Sequence, residues 1–252
     1  MTAIMLFIAV TATRWLMGTI DSGSGGWWNT PQRRLLAVAP IAGYTVTAFM
    51  LSPWGRATGG HLNPAISLAM WRYGRTPGRD VLPFITAQLL GSVLGTAAAR
   101  LAWGPAIAGR ATDYAAVAPA PGWSWAAIAA VEAGTMFVIV AVAGIGISSR
   151  RFGRYTPWAV GALITSQIIA FGTRSGGVAN PAREFGPALL SGHTALLPVY
   201  LLAPAIGSLA AATAVRRAQR RPRADLPSPT ATPPRTAAVG AGRPSTSPSS
   251  AS

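Results

Sequence analysis

Apolar positions along this chain neither alternate nor mark one helical face. They come in blocks, and six are long: 2–20, 35–52, 81–103, 125–147, 156–172 and 195–215. Each is close to the roughly 20 residues a helix needs to cross a bilayer. Two further apolar runs, 65–70 and 182–190, are too short to cross. The first block lacks the basic start of a signal peptide, outruns an apolar h-region and carries Arg14, so it reads as a retained span. After 215 the pattern changes to Pro, Ser, Thr, Ala and Arg with almost nothing large and apolar. Such a segment cannot bury enough surface to offset its ordering entropy, which predicts a disordered tail over 216–252.

Composition agrees with the blocks. Half of the 252 residues are hydrophobic and only 11% are charged, against about a quarter in soluble domains. With no cysteine, a disulfide-stapled module is excluded. A net charge of +15 would suggest nucleic acid in a soluble protein, but here the charge follows the topology. We letter the loops between spans A to E. Loops B and D and the tail carry 14 arginines; loops A, C and E carry 5. Arg14 and Arg100 lie near span ends on the A/C/E side, where they can snorkel. The positive-inside rule then predicts a multi-pass protein of the cell membrane with both termini cytoplasmic, and the high pI requires no nucleic acid. The basic start of the tail is placed to meet anionic lipid headgroups.

An internal repeat organises the spans. Gly59-Gly60-His61-Leu62-Asn63-Pro64-Ala65 recurs as Gly176-Gly177-Val178-Ala179-Asn180-Pro181-Ala182, at an offset of 117. Ala87, Gly91, Ser92 and Gly95 match Ala203, Gly207, Ser208 and Ala211 at an offset of 116. A channel domain of 1–215 therefore divides into halves near 1–122 and 123–215, each with three spans. Three is odd, so the halves are inverted about a pseudo-two-fold axis in the membrane plane. Asn before Pro is a helix-start signal, because Asn caps free amides and Pro suits the first helical position. Each motif thus opens a short helix. Entering from opposite faces, the two would meet near the midplane, where irregular backbone survives only inside protein or around water.

Gly-Gly-His-Leu-Asn-Pro-Ala and Asn-Pro-Ala-Arg-Glu-Phe-Gly-Pro-Ala (180–188) resemble the paired signatures of the aquaporin, or major intrinsic protein, channels. The resemblance covers about 2–215. It implies an all-α membrane protein: six transmembrane helices plus two re-entrant half-helices in an inverted repeat. It also implies a homotetramer with a pore in each subunit for water or small uncharged solutes, with no cofactor and no metal. If Asn63 and Asn180 cap their own half-helices, each side-chain amide is left as a pore-facing donor. Carbonyls over 59–62 and 176–179 supply acceptors, and the facing positive helix ends oppose cations and protons.

The family places Arg183 at a narrow outer constriction. Ile168 and Gly177 fall where relatives place two more constriction residues, and Ala42, Gly43 or Tyr44 is the fourth. Gly43 would make a wide opening, Tyr44 a narrow one. Glu132, a lone carboxylate well inside a long span, matches a family Glu that braces the second re-entrant loop. Gln88 matches another polar brace, and His61 is expected to line the inner vestibule or, alternatively, to be a packed His satisfied by backbone. The matching Glu of the first span would fall before residue 1, so that brace is either missing or precedes the sequence as given. The compact loop E favours water; glycerol or other small uncharged solutes are the alternative. A coupled transporter would need more intramembrane carboxylates. An intramembrane enzyme would need a nucleophile–base pair within the spans, and the sequence places none there.

Overall fold

The computed structural model describes residues 1–18 and 29–220. The expected end of the first span at Ile20 and tail residues 221–252 lie outside the described residues. Among those described there are nine α-helices and no strand. They are α1 (Thr2–Leu16), α2 (Pro31–Leu51), α3 (Pro53–Thr58), α4 (Pro64–Arg72), α5 (Gly78–Trp103), α6 (Trp125–Ile147), α7 (Thr156–Phe171), α8 (Pro181–Ser191) and α9 (Leu197–Arg220). Helices α2, α5, α6 and α9 are each long and apolar enough to cross a membrane. α1 and α7 complete the six with 15 and 16 residues.

Packing repeats with the sequence. α1 packs on α5 as α6 packs on α9, and α5 packs on half-helix α8 as α9 packs on half-helix α4. α2 and α7, one from each half, cross each other at two glycines. A Cβ at Gly43 would lie 2.3 Å from the Gly161 carbonyl oxygen, and one at Gly161 2.8 Å from that of Gly43. No larger residue permits that approach. The crossing is pinned reciprocally: Thr47 Oγ1 donates to the Pro157 carbonyl at 3.0 Å and Thr165 Oγ1 to the Ala39 carbonyl at 3.3 Å. Small-residue contacts of this kind let helices associate where lipid supplies no hydrophobic drive.

Helix ends follow local chemistry. Thr30, Ser52, Asn63, Ser124 and Asn180 each cap the following helix with a side-chain oxygen. Arg34 donates to the Leu16 carbonyl at 2.8 Å, placing a cation against the C-terminal end of α1. Two boundaries differ from the sequence reading. The Ser52-Pro53 start produces α3 inside loop B, where no helix was expected. α9 continues through 216–220, which had been assigned to the tail. Loss of hydropathy marks where a span leaves lipid, not where its helix stops, and Arg216, Arg217 and Arg220 suit the negative end of a helix.

Candidate functional site

The half-helices are 9 and 11 residues long, about 14 and 17 Å at 1.5 Å per residue, so together they match the roughly 30 Å hydrocarbon core. Their N-termini meet through the two asparagines. Asn63 Oδ1 accepts from the Ala65 amide at 2.9 Å and Asn180 Oδ1 from the Ala182 amide at 3.0 Å. Each Nδ2 then reaches across the pseudo-two-fold axis. Asn63 donates to the Ala179 carbonyl at 2.9 Å and Asn180 to the Leu62 carbonyl at 3.1 Å. A primary amide has two protons; the second proton of Asn63 faces Met136 Sδ at 3.9 Å, a weak acceptor, and Asn180 keeps its second donor.

A cavity of about 400 Å³ passes both asparagines, from Met70 and Ile147 near loops B and D to Arg110 and Gly172 near loops C and E. Ile168, Gly177 and Arg183 line it. Gly177 sits beside Ile168: a Cβ there would come within 3.2 Å of the Ile168 Cα.

Gly43 and His61 do not line the cavity, which corrects two expectations. Gly43 faces α7 at the helix crossing. Tyr44 points away from the pore, more than half exposed and edge-on to Trp158. Of residues 42–44 it is Ala42 that lines the cavity, together with six other residues of α2, among them Leu35 and Val38. His61 is buried and stacks near Phe84, with ring centroids 5.1 Å apart. Its carbonyl accepts from Gln88 Nε2 of α5 at 2.9 Å.

The re-entrant loops are held from behind. Glu132, fully buried, accepts from Ser175 Oγ at 2.8 Å, the Val178 amide at 3.2 Å and the Ala179 amide at 2.6 Å. Ala179 adopts a left-handed φ of 47°, costly for a residue with a Cβ, and the short bond from its amide helps offset that strain. Gln88 also donates to Ser67 Oγ at 3.0 Å. Gln167 Nε2 donates to the Gly177 carbonyl at 2.8 Å, a contact the sequence reading missed although Gln167 is a rare polar residue in an apolar span. Glu184 is also engaged on both oxygens. Its side chain is 2% exposed; one oxygen pairs with Arg183 Nη1 at 2.5 Å and the other accepts the Val117 amide of loop C at 3.0 Å. Its position directly after a membrane-embedded Arg was the available signal.

Two half-helices meeting end to end inside six inverted spans, around a cavity with few polar groups, define a membrane channel. The comparisons with known proteins agree. The family model for the major intrinsic proteins matches residues 1–214. A probable aquaporin AqpM from Archaeoglobus fulgidus is 32% identical over 75% of this chain and 76% of its own length. Aquaporin NIP1-1 from Zea mays is 31% identical over 78% of this chain and 66% of its own length. The aquaglyceroporin structure from Plasmodium falciparum aligns with a TM-score of 0.67 at 20% identity, covering 84% of this chain and 90% of that one, and so supports the fold. The chain belongs to the major intrinsic protein family; it is an integral membrane channel and not an enzyme.

Proposed function

We propose that this chain is a passive pore of the cell membrane for water and for small uncharged solutes up to the size of glycerol, closed to ions and protons. One observation carries the solute range. Among the described residues, no aromatic side chain lines the cavity; Ala42, Ile168, Gly177 and Arg183 all do. A methyl group and a glycine narrow the passage little. Within 42–44, the lining position of Ala42 supports a small residue over Tyr44 and so favours the wider opening. This outweighs the compactness of loop E, which favoured water.

The chemistry follows from the groups on the wall. The free amide proton of Asn180, the Asn63 proton held only by the weak acceptor Met136 Sδ, and the Arg183 guanidinium donate to passing hydroxyls. Loop carbonyls accept, and apolar walls hold the solute weakly enough to release it. The facing helix N-termini each carry roughly half a positive charge and oppose cations. Desolvation in a narrow apolar pore opposes every ion. Orientation with loops B and D in the cytoplasm rests on the arginine bias. A homotetramer is the assembly the family resemblance implies. A coupled transporter is disfavoured because both buried carboxylates, Glu132 and Glu184, are engaged. The test is light-scattering of proteoliposomes under water, glycerol and urea gradients. Swelling in glycerol at a rate set by protein content is expected; water flux without glycerol flux would refute the wider solute range.

A further inference from the structure

We infer that the face of the channel bearing loops B and D carries a binding site for a phosphate group, framed by Arg75, Arg216 and Arg220 in a cavity separate from the pore.

This second cavity holds about 130 Å³. Three helix ends wall it: Tyr73 and Arg75 at the close of α4, Ile147 and Ser148 at that of α6, and Arg216 and Arg220 in the last described turn of α9. Sites that enclose drug-sized ligands hold roughly 300–1,000 Å³, so this one suits a single small group. Side chains lock its frame. Tyr73 Oη donates to the Val140 carbonyl of α6 at 3.0 Å, Arg72 Nε to Thr213 Oγ1 of α9 at 3.0 Å, and Arg216 Nη1 to the Arg72 carbonyl. Gly74 then takes a left-handed φ of 74°, and the Arg75 amide donates back to the Met70 carbonyl at 2.9 Å. Ile147 also lines the pore cavity, so an occupant would sit one side chain away from the pore.

Charge says what the cavity takes. No carboxylate lines it. Asp80 faces Arg79 at 3.8 Å, and the other described carboxylates, Asp113, Glu132 and Glu184, engage His193, the second re-entrant loop and Arg183. Each helix end offsets about half a charge, which leaves roughly 1.5 positive charges in the cavity. Guanidinium forks bind carboxylate or phosphate oxygens in pairs. Three arginines need more oxygens than the two a carboxylate offers, and a phosphate group supplies them.

The positive-inside rule accounts for arginines on this face but not for their convergence on one cavity. Pseudo-symmetry separates the two. At the repeat offsets of 117 and 116, Arg75, Arg216 and Arg220 correspond to Gly192, Arg100 and Gly104. The opposite end of the same fold closes its helices with one arginine, so helix ends alone do not require three.

An anionic lipid headgroup and free phosphate both carry the group, and the experiment tells them apart. The full chain is melted in nanodiscs. In one set the discs are phosphatidylcholine, and inorganic phosphate replaces chloride at fixed ionic strength. In the other the discs contain increasing phosphatidylglycerol with no phosphate added. A ligand of the folded state raises the melting temperature with its concentration. A saturating rise in the first set identifies free phosphate; a rise confined to the second identifies the headgroup. Arg75→Gln and Arg220→Gln should each raise the half-saturating concentration about fivefold, the factor for one arginine at about 1 kcal/mol. Both side chains are exposed, so neither change threatens folding, whereas Arg216 also holds the Arg72 carbonyl. Arg217→Gln, in the same turn of α9 but outside the cavity, should leave binding intact. No rise in either set, wild-type binding in Arg75→Gln and Arg220→Gln, or an equal loss from Arg217→Gln would overturn the inference.

Discussion

Replacing Glu132 separates hydrogen bonding from charge in the brace behind the second re-entrant loop. In Glu132→Leu three buried donors lose their acceptor: Ser175 Oγ and the Val178 and Ala179 amides. An orphaned buried donor costs about 1–3 kcal/mol. The two amides have no alternative, while the Ser175 hydroxyl can rotate, so the loss is about 2–6 kcal/mol from the amides alone. That is comparable to the whole stability of many domains, and it falls on the segment that places Ala179, Asn180 and Arg183. In Glu132→Gln one oxygen remains. Placed where Oε1 sits, it keeps Ser175 and Val178, and the new amide group opposes the Ala179 amide, a loss of about 1–3 kcal/mol. Thermal unfolding in detergent should rank wild type above Gln and Gln above Leu. Flux per folded protein should survive in part in Gln and be lost in Leu. Equal damage from both changes would refute the hydrogen-bond account and give the charge itself the role; an undamaged Leu variant would refute the brace.

Three further outcomes are expected. Gly43→Val should destabilise the protein by about 1–3 kcal/mol or more, as overpacking does, because a Cβ there lies 2.2 Å from Thr165 Oγ1; wild-type melting would show that α2 and α7 do not cross at this point. Ala42→Phe should cut glycerol flux far more than water flux and leave melting nearly unchanged, since the side chain projects into the cavity; an unaltered ratio would remove Ala42 from the wall. Arg183→Val should be unstable because it leaves Glu184 buried and unpaired, a change that typically costs about 3–5 kcal/mol. The double variant Arg183→Val, Glu184→Gln should recover stability and pass larger solutes with little ion leak. Solute selectivity is read by swelling, leak by a pH-sensitive dye.

Much of this architecture was legible because its signals are local. Asn63-Pro64 and Asn180-Pro181 announce helix starts, and identical motifs announce the repeat. The α2 wall residue was not legible by counting from the motif, because one residue of gap turns a helix by about 100°. A usable signal was nonetheless present. Gly43 and Thr47 recur as Gly161 and Thr165, the same spacing in the second and fifth spans. A glycine four residues before a threonine, repeated in two helices of opposite direction, suits a mutual crossing, and that crossing turns Ala42 to the pore. His61 was undecided for a different reason. A polar residue next to the motif suits a lining group or a packed one, and only the tertiary contacts, burial beside Phe84, tell them apart. Loop C was illegible, since its contact to Glu184 joins residues 67 positions apart with no periodicity to reveal it.

The two halves use one backbone plan for two purposes, and the division falls at identifiable side chains. Where symmetry is needed, at the meeting of the half-helices, the groups are the same: Asn63 and Asn180 cap and cross-link reciprocally. Where a channel must discriminate at one end only, the groups differ. Ile66 and Ser67 leave the first half-helix uncharged there; Arg183 and Glu184 put an ion pair at the matching place of the second. The bracing differs in the same sense. Gln88 holds the first loop by donating to the His61 carbonyl, whereas Glu132 holds the second by accepting from its amides. A brace that takes up amides leaves the second loop's carbonyls to other donors: Tyr200 Oη takes that of Ser175, Gln167 Nε2 that of Gly177 and Asn63 Nδ2 that of Ala179. The second loop is thereby held through its amides and its carbonyls at once, which fixes the backbone that carries Asn180 and Arg183.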